Sequence, residues 1–370
     1  MRLTCGREIL LEALQAVVAA MPSNAVRPVL QNFKLSAAGD VLAVQATDTE
    51  VGVTLNIRLG AGIDEEGACL LPQRLAGVLK EATDDDVTID ADLSGCSVTG
   101  KRLRLELPAS DPAAYPDWGR YDDGPHHEID GALLKDLIDK TKFAVSKTFD
   151  SRYAAQTGVL WKMDDKAFSL MASAGAYAAI ADGTANQVGD HKTGLESVAS
   201  LKFTVMATAL AEGPCKVAFR SNVCWLITER GSVCGTLLAG KFPDVRRILP
   251  KSPGATATVN IDDLHSAVRQ TMASAKQDDV DTQRVSFEFG AETATLRAAG
   301  ESGKCIVTIP ATPTGSKPFS ILLNPKNIDG ILKAVDVEGD IAVEFADNPE
   351  RVIIRGTNSI YLAAGLAGGK

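Results

Sequence analysis

Tyr115-Pro116-Asp117 recurs as Phe242-Pro243-Asp244. The offset of 127 residues points to a third position near residue 369, where the 370-residue sequence stops. Other landmarks keep nearly the same step. Pro72-Gln73-Arg74-Leu75 opens a helical stretch followed by the strand Val87-Thr88-Ile89-Asp90. Ala199 to Leu210 leads in the same way into Lys216-Val217-Ala218-Phe219, and Asn324-Pro325-Lys326 through Val335 leads into Ile341-Ala342-Val343-Glu344-Phe345. A period this long exceeds the roughly 20–50 residues of solenoid and propeller repeats, so each copy should be a domain with its own core. The expected domains are 1–122, 127–252 and 253–370, separated by Pro- and charge-rich links at Pro112 to His127 and Phe242 to Gly254.

Within each copy the pattern runs helix, strands, helix, strands. Leu264, Val268, Thr271, Met272 and Ala275 share one helical face, while Ser266, Arg269, Ala273 and Lys276 form another stripe. Leu10, Leu14, Val17 and Val18 repeat the apolar face in the first copy, and Leu134, Leu137, Ile138 and Thr141 in the second. Hairpins are expected around Ala38-Gly39-Asp40, Asp164-Asp165 and Gly290. Two helices against a sheet in every copy give an α+β class.

Composition fits a folded chain: 45% of residues are apolar and 23% charged, enough for ordinary cores. Without an apolar run of roughly 18 residues, or an apolar stretch ahead of Arg2, Arg7 and Glu8, a cytoplasmic protein with no membrane contact is expected. Seven cysteines, odd in number and without CxxC spacing, predict buried free thiols.

Catalytic signals are few. His126 and His127 are adjacent in a presumed linker, and nothing at ligand spacing completes a metal set around them. Gly300-Glu301-Ser302-Gly303-Lys304-Cys305 is one residue short of a phosphate loop and reads as a turn between strands. Asp84-Asp85-Asp86 and Asp278-Asp279-Val280-Asp281 lack the Gly and closing Glu of a calcium loop and read as solvated turns. No cofactor is implied. A Cys-dependent enzyme is the remote alternative, since no thiol has a His at readable spacing.

Charge points elsewhere. The net charge is −9, yet Arg74 and Lys80, Lys135 and Lys142, Arg269 and Lys276, and Lys326 and Lys333 lie six or seven residues apart on helices. Each alone is an ordinary solvated side chain; their recurrence predicts a positive surface on an otherwise acidic body.

Gly240-Lys241-Phe242-Pro243-Asp244-Val245-Arg246-Arg247-Ile248-Leu249-Pro250-Lys251 resembles the signature of the bacterial DNA polymerase III beta subunit, or sliding-clamp, family. Leu107-Pro108-Ala109, Tyr115-Pro116-Asp117-Trp118, Ala46-Thr47-Asp48 and Asp150-Ser151-Arg152-Tyr153 match in order. The resemblance implies three clamp domains per chain and a ring-shaped, head-to-tail homodimer with helices lining the pore and sheets outside. Twelve helices about 9 Å apart would enclose a bore of roughly 35 Å, wide enough for duplex DNA. It further implies a processivity factor, not an enzyme, that encircles double-stranded DNA without reading sequence and tethers the DNA polymerase III catalytic subunit, with a clamp loader as second partner. A clamp-like paralogue serving repair or regulation is the alternative.

By resemblance, DNA contacts fall to the helix cations and to Asn24, Arg27, Arg152 and Tyr153. The dimer seam falls to Leu103 and Leu105 on an expected strand Lys101 to Leu107, facing Met272, with Arg74 and Glu301 as a flanking pair. The partner-peptide pocket falls to Arg152, Gly175, Tyr177, Pro243, Arg247, Ile248 and Leu366. Two departures concern that pocket. The family's Thr-Asp-Gly-His-Arg-Leu strand reads Ser173-Ala174-Gly175-Ala176-Tyr177-Ala178, and its Met-Pro-Met-Arg tail reads Ala363-Ala364-Gly365-Leu366-Ala367. Tyr177 is expected to refill the space, with Ile248 and Leu366 as walls. A third departure places Asn24 where the family has a basic residue, with Arg27 shifted nearby.

Overall fold

A computed structural model describes the chain except residues 23, 25–26, 93–94, 109, 120, 191–193, 275–282, 301–302, 314–317, 348–349 and 367–370. Among the described residues six α-helices punctuate the strands: α1 (Arg7–Val17), α2 (Arg74–Glu81), α3 (Gly131–Thr141), α4 (Leu201–Leu210), α5 (Ile261–Ser274) and α6 (Pro325–Ala334). Strands lie before, between and after the two helices of each successive pair. The helices form where the apolar period demands: α1 buries Leu10, Ala13, Leu14 and Val17, and α5 buries Ile261, Leu264, Ala267, Val268 and Thr271. Helix α6 starts where Asn324 accepts a bond from the Lys326 amide at 2.9 Å and Pro325 supplies a first-turn residue that needs no donor.

Contacts divide the chain into two units. The first comprises Met1–Lys135, Asn186–His191 and Lys202–Leu237; the second comprises Asp136–Ala185, Lys192–Leu201 and Leu238–Lys370. The division passes through α3, so the expected copy 127–252 contributes to both units.

The first unit holds a nine-stranded antiparallel sheet and a five-stranded one. The larger runs Asn186–Val188, His126–Asp130, Pro214–Arg220, Val223–Thr228, Gly231–Thr236, Val51–Arg58, Val41–Thr47, Asn32–Ala38, Gly67–Pro72. Its pairing of Val51–Arg58 with Gly231–Thr236 joins residues some 180 positions apart in sequence. The smaller sheet runs Ile63–Glu65, Arg2–Gly6, Asp86–Ala91, Gly95–Thr99, Arg104–Pro108. The second unit repeats the plan. Its nine-stranded sheet joins Tyr177–Thr184 to Ser359–Ala364, and its four-stranded sheet ends in Gly303–Pro310.

The expected hairpins are present. Asn32–Ala38 pairs with Val41–Thr47, Gly158–Asp164 with Ala167–Ser173, and Val285–Phe289 with Thr293–Gly300. Gly39 at φ +59° and Asp165 at φ +45° turn the first two. Three local expectations are corrected. His126 and His127 open the strand His126–Asp130 and are buried, so the linker stops short of them. Asp84 is buried rather than solvated, because its carboxylate accepts the Arg102 amide at 2.8 Å. That bond, with Gly100 donating to the Leu103 carbonyl, holds residues 100–103 in a turn and delays the edge strand to Arg104–Pro108. The acidic run 278–281 lies outside the described residues.

Candidate functional site

Three groups of side chains need a function. The first is the set of helix cations. Lys80 and Arg74 on α2, Lys135 on α3 and Arg269 on α5 are exposed and have no ion pair among the described residues. Lys142, just past α3, is held by Asp139 at 2.6 Å, and Lys333 on α6 by Asp329 at 2.6 Å. Asp329 also accepts from His265 Nε2 at 2.9 Å. Burial raises the Asp329 carboxyl, but the bonds from Lys333 and His265 outweigh it and leave it below its ordinary value. Lys326 is half-buried, Asn24 and Arg27 are exposed, and Lys276 lies outside the described residues. Arg152 folds onto Asp150 at 2.7 Å and sits 5.6 Å from the ring centre of Tyr153, which is exposed. Exposed and loosely held cations attract a phosphate backbone without fixing it in register.

The second group is a pair of open sheet edges. Arg104–Pro108 ends the five-stranded sheet and Gly303–Pro310 ends the four-stranded one. An edge strand presents unpaired amides and carbonyls, and proteins pair or cover them. Leu103 and Leu105 near the first edge are half-buried, and so is Met272 on α5. Arg74 and Leu103 line an open groove of about 640 Å³ with Val78, Glu81 and Arg102. On the second edge Ile306 is 57% exposed. Sequence reading missed it, although strict alternation with Cys305, Val307 and Ile309 across Gly303–Pro310 would have placed it on the outer face. Glu301 lies outside the described residues, so its pairing with Arg74 is not addressed.

The third group belongs to the second unit. Phe242 and Val245 are buried against Ala178, Ile180, Leu160, Met171 and Val198, with Leu238, Leu249 and Ile360 at the margin. Ala155, three residues past Arg152, packs into the same cluster. Leu249 and Ile360 continue into a second cluster of Ala346, Ile353 and Leu362. Arg246 bonds to Asp182 and Ser169, and Arg351 donates to the Ile248 carbonyl, which fixes the covering segment from both sides. Ile248 is left 46% exposed, Arg247 is exposed and Pro243 half-buried. Gly175 turns the chain between Ser173 and Tyr177 at φ +82°, with open space beside it. Leu366 is half-buried and its amide donates to the Leu322 carbonyl at 2.8 Å.

The expected role of Tyr177 is corrected here. Ala178 and Ile180 face the Phe242 cluster, so Tyr177, one residue away on the same strand, faces the other side. Its ring stacks on Phe143 with centroids 6.3 Å apart, and Phe143 in turn meets Tyr361 at 6.1 Å. The residue at the apolar shelf is Ala178, and the sequence-level assignment missed Leu160, Met171, Ile360 and Leu362. Period-two alternation carries the signal for all of them once the register is known.

Among the described residues no group of three or more His, Cys, Asp and Glu side chains could hold a metal, and no helix is long and apolar enough to cross a membrane.

Residues 1–119 match the family described as DNA polymerase III beta subunit, N-terminal domain. The beta sliding clamp of Caulobacter vibrioides is 25% identical over 358 residues, covering 92% of this chain and 91% of the relative. That of Vibrio cholerae is 28% identical over 275 residues, or 72% and 73%. The sliding clamp of Bacillus subtilis superposes with a TM-score of 0.90 at 20% identity over the whole of both chains. The Helicobacter pylori beta clamp bound to a DNA ligase peptide gives 0.86 at 14% identity, covering 99% and 100%. The chain thus shares the fold of the sliding clamps it superposes on, and its residues 1–119 match the DNA polymerase III beta subunit N-terminal domain.

Proposed function

We propose that the chain is a DNA sliding clamp: a non-catalytic processivity factor of the bacterial cytoplasm that encircles duplex DNA and tethers the replicative polymerase. Three repeats, 1–122, 127–252 and 253–370, make up each subunit, and two subunits close head to tail. The observation that carries this reading is the pair of open edges, Arg104–Pro108 in one unit and Gly303–Pro310 in the other. A heterologous contact between two different edges closes a ring when the rotation allows and satisfies both rows of backbone groups. The cations on α2, α3 and α5 suit a duplex that must stay centred yet slide, since tight phosphate contacts would oppose movement.

Leu105→Glu combined with Met272→Glu should convert the dimer to monomers, because two charges replace apolar contact at a desolvated seam. Sedimentation at micromolar concentration measures this directly, and a monomeric wild type would sink the reading. The wild-type ring, once loaded, should remain on circular DNA and fall off when the circle is cut.

A clamp-like paralogue with other partners is favoured by one observation. Ala178 stands at the shelf beneath Phe242 and Val245, where the family's strand ends in Leu. Apolar anchoring scales at about 25 cal/mol per Å², so a smaller shelf side chain weakens a docked peptide. Titration with a labelled consensus clamp-binding peptide separates the two: low-micromolar binding marks a replicative clamp, and its loss marks a paralogue.

A further inference from the structure

Helix α5 carries a histidine that meets a carboxylate already held by another cation. His265 Nε2 lies 2.9 Å from Asp329 Oδ1, and Lys333 Nζ lies 2.6 Å from Asp329 Oδ2. Asp329 and Lys333 stand one turn apart on α6, so one carboxylate ties the two helices together. The three side chains run from inside to outside: Asp329 is 12% exposed, His265 20% and Lys333 61%.

A largely buried anion needs a compensating charge, and here two groups can supply it. Because a carboxylate only accepts, Nε2 carries the hydrogen in this contact whether the imidazole is neutral or charged. Neutral His265 therefore donates a bond but no charge, and Lys333 alone balances Asp329. Protonated His265 keeps the same bond and adds the charge, which leaves the exposed Lys333 in surplus. Burial raises the Asp329 carboxyl, but the bonds from Lys333 and His265 hold it below its ordinary value. Asp329 thus stays an anion across about pH 5 to 8, where imidazoles change charge.

Other ionisable groups surround the pair. Asp262, Asp263 and Arg269 are exposed on α5 itself, and α6 adds Lys326. Of the strands packed against α5, Gly303–Pro310 brings Lys304 and Cys305, and Thr293–Gly300 brings Arg297, which Glu288 holds at 3.1 Å. Ala255–Asn260 brings no ionisable side chain. Among the described residues Asp329 alone of all these groups is bonded to His265.

We propose that His265 is a positioning residue for the hold of Lys333 on duplex DNA: its protonation releases Lys333 from Asp329 to a phosphate, so association takes up a proton. This rests on the clamp reading and adds a regulation to it. The coupling is reciprocal: a duplex that draws Lys333 away leaves Asp329 to His265 and favours the imidazolium. A fall in pH should therefore tighten the grip of the lining and make sliding less free.

Titration of the full chain with a short duplex between about pH 8 and 5.5 tests this. Wild type should bind more tightly at the acid end, by up to about eightfold per subunit at 0.1 M salt, the contribution of one phosphate contact. His265→Gln keeps a donor toward Asp329 but cannot take a charge, and it should lose most of that increase. Asp329→Asn frees Lys333 throughout and should bind at the alkaline end about as tightly as wild type at the acid end. If wild type and either variant bind DNA with equal pH dependence, the proposal is overturned and the clamp reading stands. If wild type binds no duplex at either end, the clamp reading falls and takes this inference with it. The wild-type chain decides even where a variant fails to fold: with duplex added, the NMR titration midpoint of the His265 ring should move to higher pH, and an unmoved midpoint overturns the proposal.

Discussion

The two units are built alike and finished differently. Each joins strands from distant parts of the chain into nine, and each lays a Pro-Asp segment across that junction. In the first unit Trp118 lies on Gly52 so closely that a Cβ there would come within 2.6 Å of the indole, and Tyr115 meets Trp118 edge-on at 6.1 Å. In the second, Phe242 and Val245 cover Ala178 and Ile180, and Ile248 beyond them stays 46% exposed. An indole seals one junction; small aliphatic side chains leave the other with a hydrophobic lip. The same plan therefore yields one sealed joint and one joint with an exposed apolar lip.

The fastenings differ too. In the second unit Lys140 on α3, with 5% of its side chain exposed, donates to Asp136 at 2.7 Å, Asp336 at 2.8 Å and Asn358 at 2.5 Å. In the first, Lys202 on α4 is 32% exposed and donates to Asp48 at 2.5 Å and the Ala20 carbonyl at 2.9 Å. Lys140→Ala should be the larger loss, about 2–3 kcal/mol, because three bonds from a buried ammonium go at once, while Asp136 and Asp336 keep access to water. Lys202→Ala should cost about 1 kcal/mol, since water can replace the lost bonds. Denaturant melts of the two variants decide, and equal losses would break the contrast.

The Lys140 cluster also fixes a pH dependence. Burial lowers the Lys140 ammonium, but its bonds to Asp136 and Asp336 outweigh this and hold it above its ordinary value. Burial raises Asp336, yet the Lys140 bond and the backbone amides of Thr357 and Asp336 together outweigh that and hold it below. A raised lysine stabilises fully below its unfolded value of about 10.4 and loses this above it. A lowered carboxylate stabilises above about 3.9 and loses this in acid. The gap between wild type and Lys140→Ala should be widest between roughly pH 4 and 10 and narrow on either side.

Charge on the helices gives a smaller effect. Lys80 in the first unit is unpaired among the described residues, whereas Lys333 in the second shares Asp329 with His265. Salt titration of duplex association should show a slope lower by up to about 0.9 per subunit for Lys80→Ala and by clearly less for Lys333→Ala. Equal changes would mean that Asp329 does not compensate Lys333 in the complex.

Much of this was legible beforehand. The repeat of Tyr115-Pro116-Asp117 at Phe242, the apolar faces of α1 and α5, and three hairpins follow from local periodicity. The long-range pairing of Val51–Arg58 with Gly231–Thr236 does not, because nothing local marks which edges will meet. Lys140 reads as a polar helix residue until Asp336 and Asn358, roughly 200 positions away, are brought beside it. Tyr177 failed for a different reason: its segment was recognised, but its face depends on register, and one residue of slip exchanges inside for outside.

That slip makes the smallest prediction. Tyr177 sits on Phe143, and Phe143 reaches its place because α6 carries Gly330, where a Cβ would come within 2.9 Å of the ring. The aromatic group of Phe143, Tyr177 and Tyr361 thus occupies the face opposite Ala178, while Trp118 in the first unit lies over the junction itself. Tyr177→Leu removes a stacked pair worth about 0.5–1.5 kcal/mol but keeps an apolar side chain, so the chain should melt slightly earlier. Peptide affinity at the shelf should not change. Ala178→Leu, on the other face, should leave the Phe143 stack intact and alter peptide binding instead. Peptide titrations of both variants beside their melting curves separate the faces: a gain in binding from Tyr177→Leu would return the ring to the partner shelf and erase the difference between the two junctions.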